Sequence, residues 1–369
     1  MAPAFSSRRE AGVFALFLLV VLALPLLVPK SALPPREQIY AALPWDVGPF
    51  PFIHKQIYEE KGDIDIAIMG SSRIWACLDT PYLQQQLSEK LGRKAVVVTI
   101  GWPWAGFDAL YMMSRDLMEH RKVHMLIFSD ETSLMGVQET PHEQAWRWFR
   151  YSEEITEMAG LPWRVRLTYY YGTILGMPRT LLTMIRPNLA PVETQEKFKS
   201  LEDVHHWIMP SEQLGALSVR EFYPDQPEDF APYTPEWSAS PSEVVTYSPA
   251  TASEFQFGNG PTNSLQIYYA RRLAAMARDH GTKLVCLSVP AIASRRSPVL
   301  KEPYFWPDVL HTDVALVGIP SRDLFSGLTD RDVAKLFWDN VHFNLNGQRY
   351  FTRIVAPSLF DIYDETETH

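Results

Sequence analysis

"IAIMGSSRIW" (Ile66 to Trp75) decides the fold. A short apolar run ends in Gly70 and passes at once into Gly-Ser-Ser-Arg. A run of this length, bounded by glycine and followed by a helical pattern, reads as a buried strand feeding a turn and a helix. Outward from it the rhythm repeats. "TPYLQQQLSEKLG" reads as a helix with Thr80 as N-cap, Pro81 in the first turn and Gly92 at the exit. "KAVVVTIG" is a second strand, rich in β-branched residues, "AGFDALYMMSRDLMEHRK" a second helix, and "VHMLIFSD" a third strand. Strands alternating with helices at this spacing predict an α/β fold: a short parallel sheet covered on both faces, a three-layer α/β/α sandwich.

The rhythm stops at about Glu139 and resumes after Gly260. Between them the chain is rich in Trp, Tyr and Pro, with helical pieces such as "PWRVRLTYYYGTILGMPRTLLTMI". A loop that long without a role is unusual, so residues 139–260 read as an insertion over the sheet, acting as a cap or as an irregular packing layer. Beyond it, "TNSLQIYYARRLAAMARDHGTK" is a helix in which Asn263 and Gln266 resemble a capping box and Gly281 is the stop. "KLVCLSVP" and "VALVGIP" are further strands, and "NLNGQRYFTRIVAPSLFDIY" closes the chain as a helix.

The N-terminus has its own logic. "GVFALFLLVVLALPLLVP" (Gly12 to Pro29) is an 18-residue run without a charge, about 27 Å long as a helix at ~1.5 Å per residue. Arg8 and Arg9 precede it, which orients the N-terminus to the cytoplasm and the remainder outward. The expected division is a tail at 1–11, a transmembrane anchor at 12–31, a connector at 32–58 and the α/β domain at 59–365. A cleaved signal peptide is the competing reading, but no clean A-x-A site follows the run. In either case the domain faces an oxidising compartment, where Cys77 and Cys286 either pair or remain separate buried thiols.

The formal net charge is −9, and the chain beyond residue 31 carries −11. An acidic body excludes phosphate-driven nucleic-acid binding. His142, His205 and His206 lack companion ligands at metal spacing, so no metal and no cofactor is expected.

Two short stretches carry the candidate chemistry. Ser72 follows the first strand, at the carboxyl edge where open parallel sheets bind ligands. A serine acts as a nucleophile when a base takes its proton. "WDNVHFNLNGQ" (Trp338 to Gln348) places Asp339 and His342 three residues apart, just before the last helix. His342 is the candidate base and Asp339 its orienting carboxylate, a pairing defined by roles rather than by chain order. The structural alternatives are that Ser71 or Ser72 only caps a helix and that His342 is a satisfied core residue. Asp108 and Asp130 are lower-ranked orienters. Arg73 reads equally as a holder of an anionic group or as the partner of an acid. Trp102 and Trp104 flank the glycine turn after the second strand, where flat aromatic faces suit sugar rings or ordinary packing.

On these blocks the chain resembles the SGNH (GDSL-like) hydrolase superfamily over roughly residues 60–136 and 262–363. The likeness is strongest to its membrane-anchored branch, which includes the D-alanine-transfer protein of teichoic-acid modification and the alginate O-acetylation proteins. The resemblance selects Ser72 over Ser71 as nucleophile, matches Asp339 and His342 to the last block, and makes the amide of Gly101 an oxyanion donor. The third block departs: the family presents Gly-x-Asn-Asp after strand three, whereas this chain has "FSDETS", with Ser129 as the nearest donor. Loss of one oxyanion donor costs ~10²–10³ in rate, which fits a slow acyl transferase or a non-hydrolytic relative. The resemblance implies an acyl donor, a polysaccharide acceptor and a multi-span membrane acyltransferase as partners, at the outer face of a bacterial cytoplasmic membrane. Three functions follow: an O-acyltransferase or esterase, a non-catalytic scaffold or glycan-binding module, and a plain ester hydrolase.

Overall fold

The computed structural model describes residues 7–27, 31, 35–37, 53–101, 106–129, 157–171, 245–247, 264–290, 314–318, 324–325, 327–329, 332–333, 336–337, 342–343 and 345–367. The chain divides into two compact units, residues 1–44 with 143–190, and residues 45–142 with 191–369.

The first unit contains α1 (Arg8–Leu27), a 3₁₀ turn at Glu157–Gly160 and a helix at 163–171. Within the segment expected to span at 12–31 the structure has a helix, α1, which starts earlier, at the charged Arg8, and is described to Leu27. Among the described residues no helix is long and apolar enough to cross a membrane.

The second unit holds the sheet. Its elements are β1 (Ile64–Gly70), a single helical turn α2 (Ser72–Trp75), α3 (Thr80–Leu91), β2 (Val97–Gly101), α4 (Phe107–His120), β3 (Val123–Ser129), β4 (Val245–Tyr247), α5 (Ser264–Asp279), β5 (Lys283–Leu287), β6 (Ala315–Gly318) and α6 (Leu345–Glu367). The sheet order is β2-β1-β3-β5-β6-β4. The five strands read from the sequence pair in parallel, and only β4 runs antiparallel, on the outer edge of β6. β4 lies within the insertion and was not anticipated; the other described part of the insertion is 157–171, and the rest lies outside the described residues.

Every residue of β1 is buried. Successive side chains point to opposite faces, so both faces of this strand are covered. On one face Ile66, Ile68, Met125 and Ile127 join a core with Leu83 and Leu87 of α3 and Phe351, Val355 and Leu359 of α6. Towards α4, Ser114 donates to the Met69 sulfur at 3.0 Å. α4 in turn packs on α5, where Tyr111 and Tyr269 meet with ring centres 5.5 Å apart. A π-helical turn at Lys55–Glu59 ends the connector, burying Ile57 and Gln56. Arg121 fixes it by donating to the Gln56 carbonyl and side-chain oxygen, each at 3.0 Å.

The start of α3 differs from the expected pattern. α3 begins at Thr80, but its cap is Asp79, whose carboxylate accepts from the Tyr82 amide at 3.2 Å. The Thr80 hydroxyl is drawn instead to Thr99 of β2 at 2.6 Å. Gln266 has a distant partner: its Oε1 accepts from the Phe107 amide at the start of α4, at 2.6 Å; Asn263, the other half of the expected capping box, lies outside the described residues. Cys77 and Cys286 are separate buried thiols.

Candidate active site at the carboxyl edge of the sheet

The strand order fixes where a crevice opens. From β1 the chain moves outward to β2, then crosses back over β1 to β3 and continues to β5 and β6. Winding therefore reverses between β1 and β3, and open parallel sheets bind ligands at the carboxyl ends of the strands beside such a switch point. The register places Gly70 opposite Gly101 and Met69 opposite Phe128. The ends of β1, β2 and β3 therefore bring Gly70 with the Ser71–Ser72 turn, Gly101 and Ser129 to one edge.

Gly70 is required there. A Cβ at this position would lie 2.3 Å from Cγ2 of Ile74 and 3.3 Å from the Ser129 hydroxyl oxygen. The first turn of α2 thus folds tightly back over the end of β1, with Ser129 against its other side. Ser71, 4% exposed, accepts from the Arg73 amide at 3.2 Å. The capping role considered for both serines therefore has an occupant in Ser71. Ser72 stands one residue on, as the first residue of α2. Its backbone is described and its side chain is not.

Arg73 has a backbone partner that neither sequence reading named. Its guanidinium donates to the backbone carbonyl of Val289, just past β5, at 2.5 Å, and its Nε is buried without a hydrogen-bond partner among the described residues. It links the turn after β1 to the end of β5 across the switch point, a positioning contact rather than an ion pair.

His342 is 5% exposed and sits at the foot of α6. The flanking residues are fixed by packing: Phe337 and Phe343 form a bridge with their rings stacked 4.4 Å apart, and Phe343 approaches Phe351 at 5.6 Å. Gly347 is the second glycine that local crowding demands, since a Cβ would meet the Leu336 carbonyl oxygen at 2.1 Å. The start of α6 is then tied to the segment after α2. Gln348 donates to the Leu78 carbonyl at 2.9 Å, and the Asp79 amide donates to the Thr352 hydroxyl at 2.7 Å. The segment bearing His342 and the segment headed by Ser72 are joined through these bonds. Asp339 and Trp102 lie outside the described residues, as do Trp104, Asp130, His142, His205 and His206.

Asp108 is fully buried in the first turn of α4. It lies beside Gly106 and Gln266: a Cβ on Gly106 would come within 3.0 Å of both side chains. Gln266 sits among the buried positions of α5 with Leu265, Tyr269, Ala270 and Leu273. A polar residue at core spacing was the available signal that its side chain has a distant partner, here the start of α4. Gln348 and Thr352 carried the same signal in α6, where both are buried.

No group of three His, Cys, Asp or Glu side chains among the described residues is arranged to hold a metal ion. A depression of about 260 Å³ is lined by residues of Met118–Val123 and His280; it lies at the amino end of β3, the opposite edge from Ser129. A buried ion-pair cluster is also at that opposite edge. Asp65, 2% exposed, accepts from Arg93 at 2.6 and 3.1 Å, from the Val96 amide at 2.7 Å and from the Tyr363 hydroxyl at 2.6 Å. Burial pushes its carboxyl up, but these donors outweigh it and hold the group below the usual carboxylate range. This cluster is structural and stands apart from the candidate chemistry.

The chain matches no protein-family model, and no curated protein and no solved structure matches it.

Proposed function

We propose that this chain is a membrane-anchored serine acyl-ester enzyme with a three-layer α/β/α SGNH-like domain, acting as an O-acyltransferase or esterase on a cell-envelope or exported polysaccharide. The observation that carries the proposal is the convergence of Gly70, Gly101 and Ser129 at the switch point. The hydrogen bonds that tie the His342 segment to the residues following Ser72 support it.

In this reading the Ser72 oxygen attacks the acyl carbonyl while His342 takes its proton and Asp339 orients the imidazole. The amides of Ser72 and Gly101 stabilise the tetrahedral oxyanion, with the Ser129 hydroxyl as a third donor. Collapse expels the alcohol or thiol, which leaves with the proton held by His342. A sugar hydroxyl, or water in the esterase case, then gives its proton to His342 and attacks the acyl-serine, and the departing Ser72 oxygen takes that proton back from His342, restoring both groups. Trp102 is assigned to the sugar acceptor and Arg73 to positioning the Ser72 turn. A multi-span membrane acyltransferase is the proposed source of the acyl group.

The anchor is α1. From Val13 to Leu22 its large apolar side chains other than the half-buried Val21 are 37–63% exposed, and a helix that is apolar all round belongs in a protein core or a lipid core. Arg8 and Arg9 orient it with the N-terminus inside a bacterial cytoplasmic membrane and the sheet outside.

A fluorophosphonate probe tests the chemistry. Wild-type protein is expected to label, and Ser72→Ala to abolish labelling while keeping the wild-type melting curve. Absence of wild-type labelling, with unchanged cellular acylation in Ser72→Ala, favours the second reading: a non-catalytic scaffold or glycan-binding module. Ser129 supports that alternative, because it stands where the resembled family has an Asn donor and is packed against Gly70.

A further inference from the structure

We propose that the helix at 163–171 is seated in the headgroup layer of a lipid bilayer through Trp163, Leu167 and Tyr171. These three side chains recur every fourth residue and so form one stripe along the helix. They are 63%, 55% and 61% exposed. The other side of the helix is committed to the protein: Tyr169 is fully buried, and Val165, Arg166 and Tyr170 are half-buried. The helix is therefore held by one side and presents the other outward.

The chemistry of the outward side matches a lipid interface. Trp and Tyr place an apolar ring next to a polar N–H or O–H, the combination enriched where hydrocarbon meets headgroups. Leu167 lies between them. Beside the stripe runs a polar one, Arg164 and Thr168, both exposed. The Arg164 guanidinium stands over the Trp163 ring at 5.6 Å from its centre, a cation at the level where lipid phosphates would lie. An apolar stripe flanked by cationic residues is the pattern of a helix lying in the membrane plane. The helix belongs to the same compact unit as α1, whose apolar side chains are likewise exposed. A bilayer covers both surfaces with one partner, which favours lipid over a protein as the occupant of the stripe.

The inference rests on the membrane reading of the chain, not on the chemistry of Ser72. It is tested on the full chain in vesicles of phosphatidylethanolamine with a smaller share of phosphatidylglycerol. Leu167→Cys is labelled with an environment-sensitive fluorophore; the native Cys77 and Cys286 are buried and leave the introduced thiol as the accessible one. The expected result is a blue-shifted emission, quenched more by nitroxide near the lipid glycerol than by nitroxide at the acyl end. Water-like emission in protein that co-floats with the vesicles overturns the seat and leaves the anchor standing. Blue-shifted emission that no lipid nitroxide quenches also overturns it and assigns the stripe to a protein contact. Failure to co-float overturns both the seat and the anchor.

Discussion

Gln348 in the first turn of α6 donates its side-chain N–H to the backbone carbonyl of Leu78 at 2.9 Å, across 270 positions of the chain. Both groups are buried, and the neighbouring bond from the Asp79 amide to Thr352 repeats the connection one turn further along the helix. Together they hold the last helix, and the His342 segment at its foot, against the residues that follow the Ser72 turn. Gln348→Met keeps the length of the side chain and removes the donor, leaving the Leu78 carbonyl unsatisfied. The expected cost is about 1–2 kcal/mol, read from denaturant unfolding. Thr352→Val is expected to cost about 1 kcal/mol. Because the two bonds share one junction, the double variant should depart from additivity. Strict additivity would mean that the junction is not a unit.

If that junction positions His342 for Ser72, fluorophosphonate labelling separates stability from placement. Gln348→Met should slow the labelling rate well below the melting range, where the protein remains folded. Labelling at the wild-type rate, alongside the expected loss of stability, would confine Gln348 to a structural role.

Gly70 provides a sharper local test. A methyl group there meets Ile74 at 2.3 Å, closer than packed atoms tolerate, so Gly70→Ala must push α2 away from the end of β1. Overpacking of this kind costs about 1–3 kcal/mol, and it displaces the Ser72 turn. Ile74→Ala removes the colliding carbon at the price of a cavity. The pair Gly70→Ala/Ile74→Ala is expected to be more stable than the sum of the single changes predicts, as measured by a double-mutant cycle. At Gly347 the obstacle is the Leu336 carbonyl, which has no side chain to trim. Gly347→Ala should therefore be the more damaging change and have no comparable single-site rescue.

These cases show what the sequence disclosed. β1 and β2 were legible because unbroken apolar or β-branched runs end in glycine, and α6 because its apolar residues keep helical spacing. β4 was not, since a three-residue edge strand pairs through its backbone and leaves no side-chain pattern in a Trp- and Pro-rich stretch. The cap of α3 was misread because Thr80 and Asp79 are both capping residues, and only the distant Thr99 decides between them. At the candidate site, Gly70 and Ser72 stood out through the strand–turn motif. Gln348, Thr352 and Gln266 are polar residues on buried helix faces whose partners lie far along the chain, so local pattern shows that they are unusual without showing what they hold. Arg73 was read as an electrostatic residue, yet its described bond is to the Val289 carbonyl, and nothing in a sequence marks a backbone acceptor.

The Asp65 cluster predicts how the sheet responds to acid. Arg93, Tyr363 and the Val96 amide hold the Asp65 carboxyl below its ordinary range despite the opposing effect of burial. A carboxyl depressed in the folded state stabilises the fold above its unfolded pKa, about 3.9, and that contribution is lost as pH falls through the lower folded value. At neutral pH Asp65→Asn should therefore destabilise the protein by about 2–4 kcal/mol. That range reflects the loss of charge-assisted bonds at a buried site, while the Arg93 side chain, 49% exposed, remains partly hydrated. The difference between wild type and Asp65→Asn should be constant from pH 7 down to about pH 5 and should shrink below about pH 4, as the wild-type carboxyl protonates. Urea unfolding of both proteins across that range measures it. A difference that stays flat below pH 4, or that grows, would show that Asp65 does not bind its donors as an anion.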